Sequence, residues 1–149
     1  MFASAISVEE AQLGVVAATS DGGADVVTWT LDSADSRQNT LVHVARDGTV
    51  AWKQAIGDGT VNVIGVGPDD SVAVTLMDSQ QGPNLIKHYT ANGTLLSAVQ
   101  IDAGVGVAAL AIDAAGTVFA AGWKEQGPPT NLSAQPFVMQ VPSGGSLSP

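Results

Sequence analysis

The chain repeats itself. The stretch RDGTVAWKQAI at 46–56 returns as ANGTLLSAVQI at 91–101, which sets Gly48 and Gly93 45 residues apart. A second stretch, PDDSVAVTLM at 68–77, returns as AAGTVFAAGW at 114–123, with Ser71 and Thr117 46 residues apart. Each recurring piece is a short, apolar, β-branched run beside a cluster of Asp, Asn or Gly. A period of this length describes a unit that cannot bury its own apolar face and needs neighbours of the same kind.

Each unit reads as four strand-like segments. In the first they fall at 13–18, 26–31, 41–45 and 49–56; in the second at 61–66, 71–77, 85–90 and 94–101. The third supplies 107–112, 117–123 and 137–141, and its PSGGSLSP tail at 142–149 maps onto the turn before a fourth strand. SAISV at 4–8 is similar to SAVQI at 97–101, about two periods away, and reads as a displaced outer strand. Short apolar strands at this period are the signature of β-propeller blades. The expected fold is all-β: four-stranded antiparallel sheets, three blades per chain, spanning about 10–56, 57–101 and 102–149. Residues 2–8 are expected to serve as an extra outer strand in a velcro-like position, because a strand lent from one terminus covers an otherwise bare sheet edge. The first strand of each unit is rich in small residues, as a crowded inner channel requires. Asn92-Gly93 marks a hairpin, since both residues tolerate positive φ.

Composition excludes several function classes. The chain has 149 residues and a net charge of −9, and its five cations, Arg37, Arg46, Lys53, Lys87 and Lys124, stand singly along it. A nucleic-acid surface needs clustered cations to displace counterions, and an anionic membrane needs them too, so neither is an expected partner. There is no cysteine, hence no disulfide, thiolate nucleophile or Cys-based zinc site. No apolar run reaches the ~18 residues of a membrane span. The N-terminus has no basic region and does not read as a signal peptide.

The residues that carry chemistry are few. His43 and His88 occupy equivalent positions in neighbouring units; equivalent strands of adjacent blades diverge outward, so the two are expected to be structural or solvent-facing and not to share a metal. Asp47, Asp58, Asp69 and Asp70 fall in turns, where carboxylates bond the local backbone, and no calcium-loop motif is present. Trp29 and Trp123 are expected to pack between blades. Asn92-Gly-Thr94 and Asn131-Leu-Ser133 match the glycosylation pattern only formally. No serine stands in a recognisable triad motif. No cofactor and no metal are expected.

The segments LAIDAAGTVFAAGW at 110–123, QPFVMQV at 135–141 and LVHVARDGTVAW at 41–52 resemble the bacterial β-propeller repeats of the SBBP type. The second unit departs from the pattern: GPDDSVAVTL lacks the usual glycine, and Ser97 stands where the first unit has Trp52. The resemblance implies a propeller fold and a secreted, cell-surface or periplasmic setting, and it names no site. The loops between second and third strands, 32–40, 78–84 and 124–136, vary in length on one face and are the expected binding surface. Its candidate ligand-binding residues are Asp35, Arg37, Gln80, Gln81, Lys124, Gln126 and Asn131, for an unknown protein or carbohydrate ligand. The expected function is a non-catalytic scaffold or binding module. Three blades do not close a ring, so a second copy joined head to tail is expected to complete six, unless the chain is a piece of a longer propeller. The competing class is a lyase or hydrolase at the channel mouth, for which the inner strands offer only Asn62 and Asp113 as polar residues.

Overall fold

The computed structural model describes residues 12–77, 84–127, 133–143 and 146–149, and in them every regular element is a strand. Strands β1 (Gln12–Ala18), β2 (Ala24–Leu31), β3 (Arg37–Val44) and β4 (Val50–Asp58) form a first antiparallel sheet in chain order. Strands β5 (Ile64–Val66), β6 (Val72–Leu76), β7 (Asn84–Tyr89) and β8 (Leu95–Ile101) form a second on the same plan. Strands β9 (Val105–Ile112), β10 (Val118–Gln126) and β11 (Ser133–Gln140) form a third. The short β12 (Ser146–Leu147) does not return to the third sheet; it runs parallel to β8 and widens the second.

One turn geometry joins most of these strands. In residues 19–23, 32–36, 45–49, 67–71, 90–94 and 113–117 the first N–H donates to the last carbonyl, and the fourth N–H donates to the first carbonyl. The fourth residue is Gly22, Asp35, Gly48, Asp70, Gly93 or Gly116, with φ between 57° and 86°. This is a type I turn closed by a left-handed residue, a hairpin connection whose twist suits paired strands. Side chains inside the turns lock them. Asp21, Asp47 and Asp69 each accept from the backbone N–H two residues on. Asp32 and Asp113 each accept from two N–H groups of their own turn. The expected turn role of Asp47 and Asp69 is thus met. Asp70 also keeps its turn position, left-handed in 67–71, while its carboxylate reaches across to another sheet and accepts from the Ser20 backbone N–H and hydroxyl; Asp58 instead ends β4.

The same turn overturns one expectation. The stretch 32–40 is not a long loop: β2 and β3 pair in register from Ala24↔Val44 to Leu31↔Arg37, and only 32–36 turns. The apolar pattern begins at Leu41, but the ladder extends four residues earlier through Arg37, Gln38, Asn39 and Thr40, because backbone pairing does not require apolar side chains. The expected outer strand at 2–8 lies outside the described residues.

The second sheet is the centre of the molecule. Alternate residues of a strand face opposite ways, and every residue of β6 is buried. Val72 and Val74 join Tyr89, Val27, Leu41 and Ile56 in a core shared with the first sheet. Ala73 joins Ile86, Val99, Ile112, Val118, Ala120 and Val141 in a core shared with the third, sealed by Leu147 of β12. Each fully buried Val, Leu or Ile contributes about 1.5–3 kcal/mol. The far faces of the first and third sheets expose apolar residues, Leu13 at 74%, Val16 at 65% and Val138 at 77%, although Val26, Thr28 and Val42, on the same face of the first sheet as Leu13 and Val16, are buried. The first strands are small-residue strands as expected, yet β1 is largely exposed and not packed round a crowded channel.

Candidate functional site

Two of the expected ligand-binding residues meet on the first sheet. Asp35 takes the left-handed position of the β2–β3 turn, and Arg37 opens β3 directly after it. The Arg37 guanidinium lies 4.1 Å from the centroid of the Trp29 ring, a cation–π contact. Beside it runs a groove of about 100 Å³ lined by Trp29, Thr28, Thr30, Gln38, Thr40 and Lys53. Val42 also lines it, so the groove joins hydroxyls, an amide and an ammonium to an apolar floor. Asp32 organises its rim, accepting from Ala34 N, Ser36 N and Gln38 Nε2, and these hydrogen bonds hold its carboxyl below the usual value.

The third sheet presents Lys124 and Gln126 at the end of β10. Lys124 Nζ donates to the Pro149 carbonyl, so part of its hydrogen-bonding capacity is spent inside the chain. Trp123 beside it is 43% exposed, with its ring over Gly106, where a Cβ would come within 2.3 Å of the indole. Trp123 therefore does not pack between sheets as expected, and Trp29 is only half-buried. The reason is parity: Trp123 pairs with Gly106 and Pro136 on the uncovered face of the third sheet. Among the described residues no hydrogen bond links the Asp35–Arg37 pair to the Lys124–Gln126 pair. Gln80, Gln81 and Asn131 lie outside the described residues, as does nearly all of the expected loop at 78–84; the expected loop at 124–136 is overturned like that at 32–40, since Lys124, Glu125 and Gln126 pair in ladder with Gln135, Ala134 and Ser133.

The structure assembles one cluster that sequence reading missed. His43 Nδ1 lies 2.9 Å from Asp25 Oδ1, and its Nε2 lies 3.3 Å from Asp21 Oδ2. A carboxylate only accepts, so each contact is a hydrogen bond when the facing nitrogen carries a proton. Asp25 is fully buried with Oδ2 unpartnered, and burial pushes its carboxyl up despite His43. The Trp52 ring stacks on His43 at 5.7 Å and 14°, and its Nε1 donates to the Ala91 carbonyl of the second sheet at 2.8 Å. The cross-strand register makes the cluster: Asp25, His43 and Trp52 share one row across β2, β3 and β4. His88 holds the equivalent row in the second sheet and is also buried, but its Nε2 has no hydrogen-bond partner among the described residues. The two histidines serve separate sheets, as expected. Among the described residues no three His, Asp or Glu side chains gather as a metal site. The polar inner residues are spent locally: Asn62 bonds Met77 Sδ, and Asp113 holds its own turn.

Compared with known families and with curated proteins, the chain matches no family model and no curated sequence.

Proposed function

We propose that the chain is a non-catalytic β-propeller scaffold and binding module, whose three blades are completed to a ring of six by a second copy joined head to tail. One observation carries this reading. The second sheet is covered on both faces by like sheets, whereas among the described residues the first and third each expose large apolar side chains on an outer face, Leu13 and Val16 on the β1 edge of one and Val138 and Trp123 on the other. Repeating the stacking that joins the sheets within the chain sets the open face of one copy's third sheet against the open face of the other's first. A heterologous contact of this kind closes into a ring when the rotation suits. The third sheet also ends on β11, which has no outer neighbour among the described residues. Residues 2–8 of the second copy supply that strand in this reading, relieving an exposed edge. The recurring period and the SBBP-type resemblance support it, and so does the shared strand plan of the first two sheets. The binding surface is the end carrying Trp29, Arg37, Lys124 and Gln126, offered to a protein or carbohydrate ligand; the groove of Thr28, Thr40, Val42 and Lys53 shares the face of Leu13 and Val16 and in this reading belongs to the contact between copies.

The test is solution mass by light scattering. The chain is 15.0 kDa, and the expected mass is twice that. Val138→Lys, which puts a charge on the proposed contact and touches no buried core, is expected to give the monomer with the fold intact. A monomeric parent chain overturns the ring of two copies and directs the open faces to further blades. A dimer that ignores Val138→Lys overturns the head-to-tail contact.

A further inference from the structure

Between the second and third sheets, at the turn end of the strands, lies a cleft of about 320 Å³. His88 and Ser97 form one wall; Thr117, Gln140, Val141 and Pro142 belong to the other. None of its lining side chains is acidic, Lys or Arg. Its origin is visible by comparison with the first sheet. There, the cross-strand neighbours of His43 are Asp25 and Trp52. In the second sheet the corresponding neighbours of His88 are Ala73 and Ser97. Asp has become Ala and the indole has become a hydroxymethyl group. His88 thus lacks the cross-strand acid and the cross-strand indole that His43 has, and keeps only the weaker pull of Asp69 in the β5–β6 turn. It remains 7% exposed with Nε2 unpartnered, a costly arrangement for a buried polar group.

The correspondence extends to the far wall. Trp52 leaves the first sheet and lies against the next sheet's β7–β8 turn, where Gly93 leaves room and Ala91 accepts its N–H. The stretch after β11 is the matching place in the third sheet, and Pro142 there lines the cleft. We propose that this cleft is a binding site for a neutral, planar heteroaromatic molecule of one or two fused rings. The ligand stacks on His88 as Trp52 stacks on His43. Its ring N–H donates to the Pro142 segment, and Ser97, Thr117 and Gln140 read its polar edge. Neutrality follows from a lining with no acidic, Lys or Arg side chain; planarity follows from the imidazole wall, on which a flat ring stacks as the indole does on His43.

Indole is the direct probe, being the Trp52 side chain freed from its backbone. Long-range proton–nitrogen spectra of the ¹⁵N-labelled full chain report the two imidazoles separately, with His43 as the internal reference. The expected result is a saturable movement of the His88 signals while those of His43 stay in place. Ser97→Trp, which plugs the cleft from within, is expected to weaken that response by about tenfold or more and to raise Tm. Ser97→Phe is a smaller plug with the same expected loss of response. The proposal is overturned if His88 does not respond up to the solubility limit of indole, if both histidines move together, or if both plugged variants respond as the parent chain does.

Discussion

In the first sheet an acid, a histidine and an indole stand in a row across three strands; in the second the same row holds Ala73, His88 and Ser97. Both sheets keep the hairpin plan and the same turns, so the row is not what makes the strands pair. Its work is at the boundary between sheets. Trp52 fastens the first sheet to the second through its stack on His43 and its bond to Ala91, aided by the Asp70 bridge to Ser20 and by Lys87 donating to the Ile56 carbonyl. The second sheet joins the third without such a row. Gly65 lets the backbone of Leu110 come close enough that a Cβ would stand 2.7 Å from its carbonyl oxygen, and a core from Ala73 to Leu147 does the rest. Both boundaries hold an apolar core, and only the first adds a polar row that fills the space over its histidine.

The sharpest way to break this contrast is Trp52→Ala. It removes a half-buried indole, a ring stack and an inter-sheet hydrogen bond, and is expected to cost about 3 kcal/mol. Ser97→Ala, at the matching position, is expected to stay within about 0.5 kcal/mol of the parent. Urea unfolding of both variants checks the pair; equal losses would show that Trp52 is not a fastening. Next in size is Asp25→Ala, which gives His43 the acid-free setting of His88. It leaves His43 Nδ1 buried without its partner and is expected to cost about 1–3 kcal/mol, part of that offset by removing a carboxyl whose own burial is unfavourable. The same unfolding curves read it.

Much of this contrast was legible in the sequence, and the reasons for the rest are physical. The recurring turns were visible because a left-handed position selects Gly, Asn or Asp, and the alternation of Val72, Ala73 and Val74 marked a strand. The equivalence of His43 and His88 was visible from the period alone. The start of β3 was hidden because Arg37, Gln38, Asn39 and Thr40 are polar, so a half-buried, ladder-paired stretch read as a loop. The exposure of Trp123 was hidden because strand parity is settled by which face a neighbouring sheet covers, and a single sequence does not say. The row of Asp25, His43 and Trp52 was hidden because cross-strand register depends on bulges, and one falls between His43 and Val44. The cleft is an absence of side chains, and sequence reading finds residues more readily than gaps.

A smaller effect separates two left-handed glycines. A Cβ on Gly93 would come within 2.8 Å of the Trp52 ring, while one on Gly116, at the cleft, meets nothing within 4 Å. Gly116→Ala is therefore expected to cost only the left-handed strain of about 1–2 kcal/mol, and Gly93→Ala that strain plus displacement of the indole. Thermal unfolding of the two variants should rank them in that order, with Gly93→Ala also losing part of the near-ultraviolet Trp signal.

The smallest effect is the one that isolates His88. Burial holds its pKa below the ordinary value of 6.5, against the weaker pull of Asp69 toward the charged form. In the unfolded chain the imidazole takes up its proton near 6.5; in the folded protein it does so only at lower pH. The unfolded state thus binds more protons in that interval, and stability falls as the solution is acidified through it. Above 6.5 both states are neutral and the contribution is level; below the folded pKa both are charged and the loss is complete. His88→Gln removes this term and leaves the carboxylates in place. The stability difference between the parent chain and His88→Gln is expected to shift against the parent from pH 7.5 to pH 5, measured by urea unfolding at each pH. A flat difference, or one that moves in favour of the parent, would mean that His88 takes up its proton in the folded chain as readily as in the unfolded one, and that the space beside it is already wet enough to accept a charge.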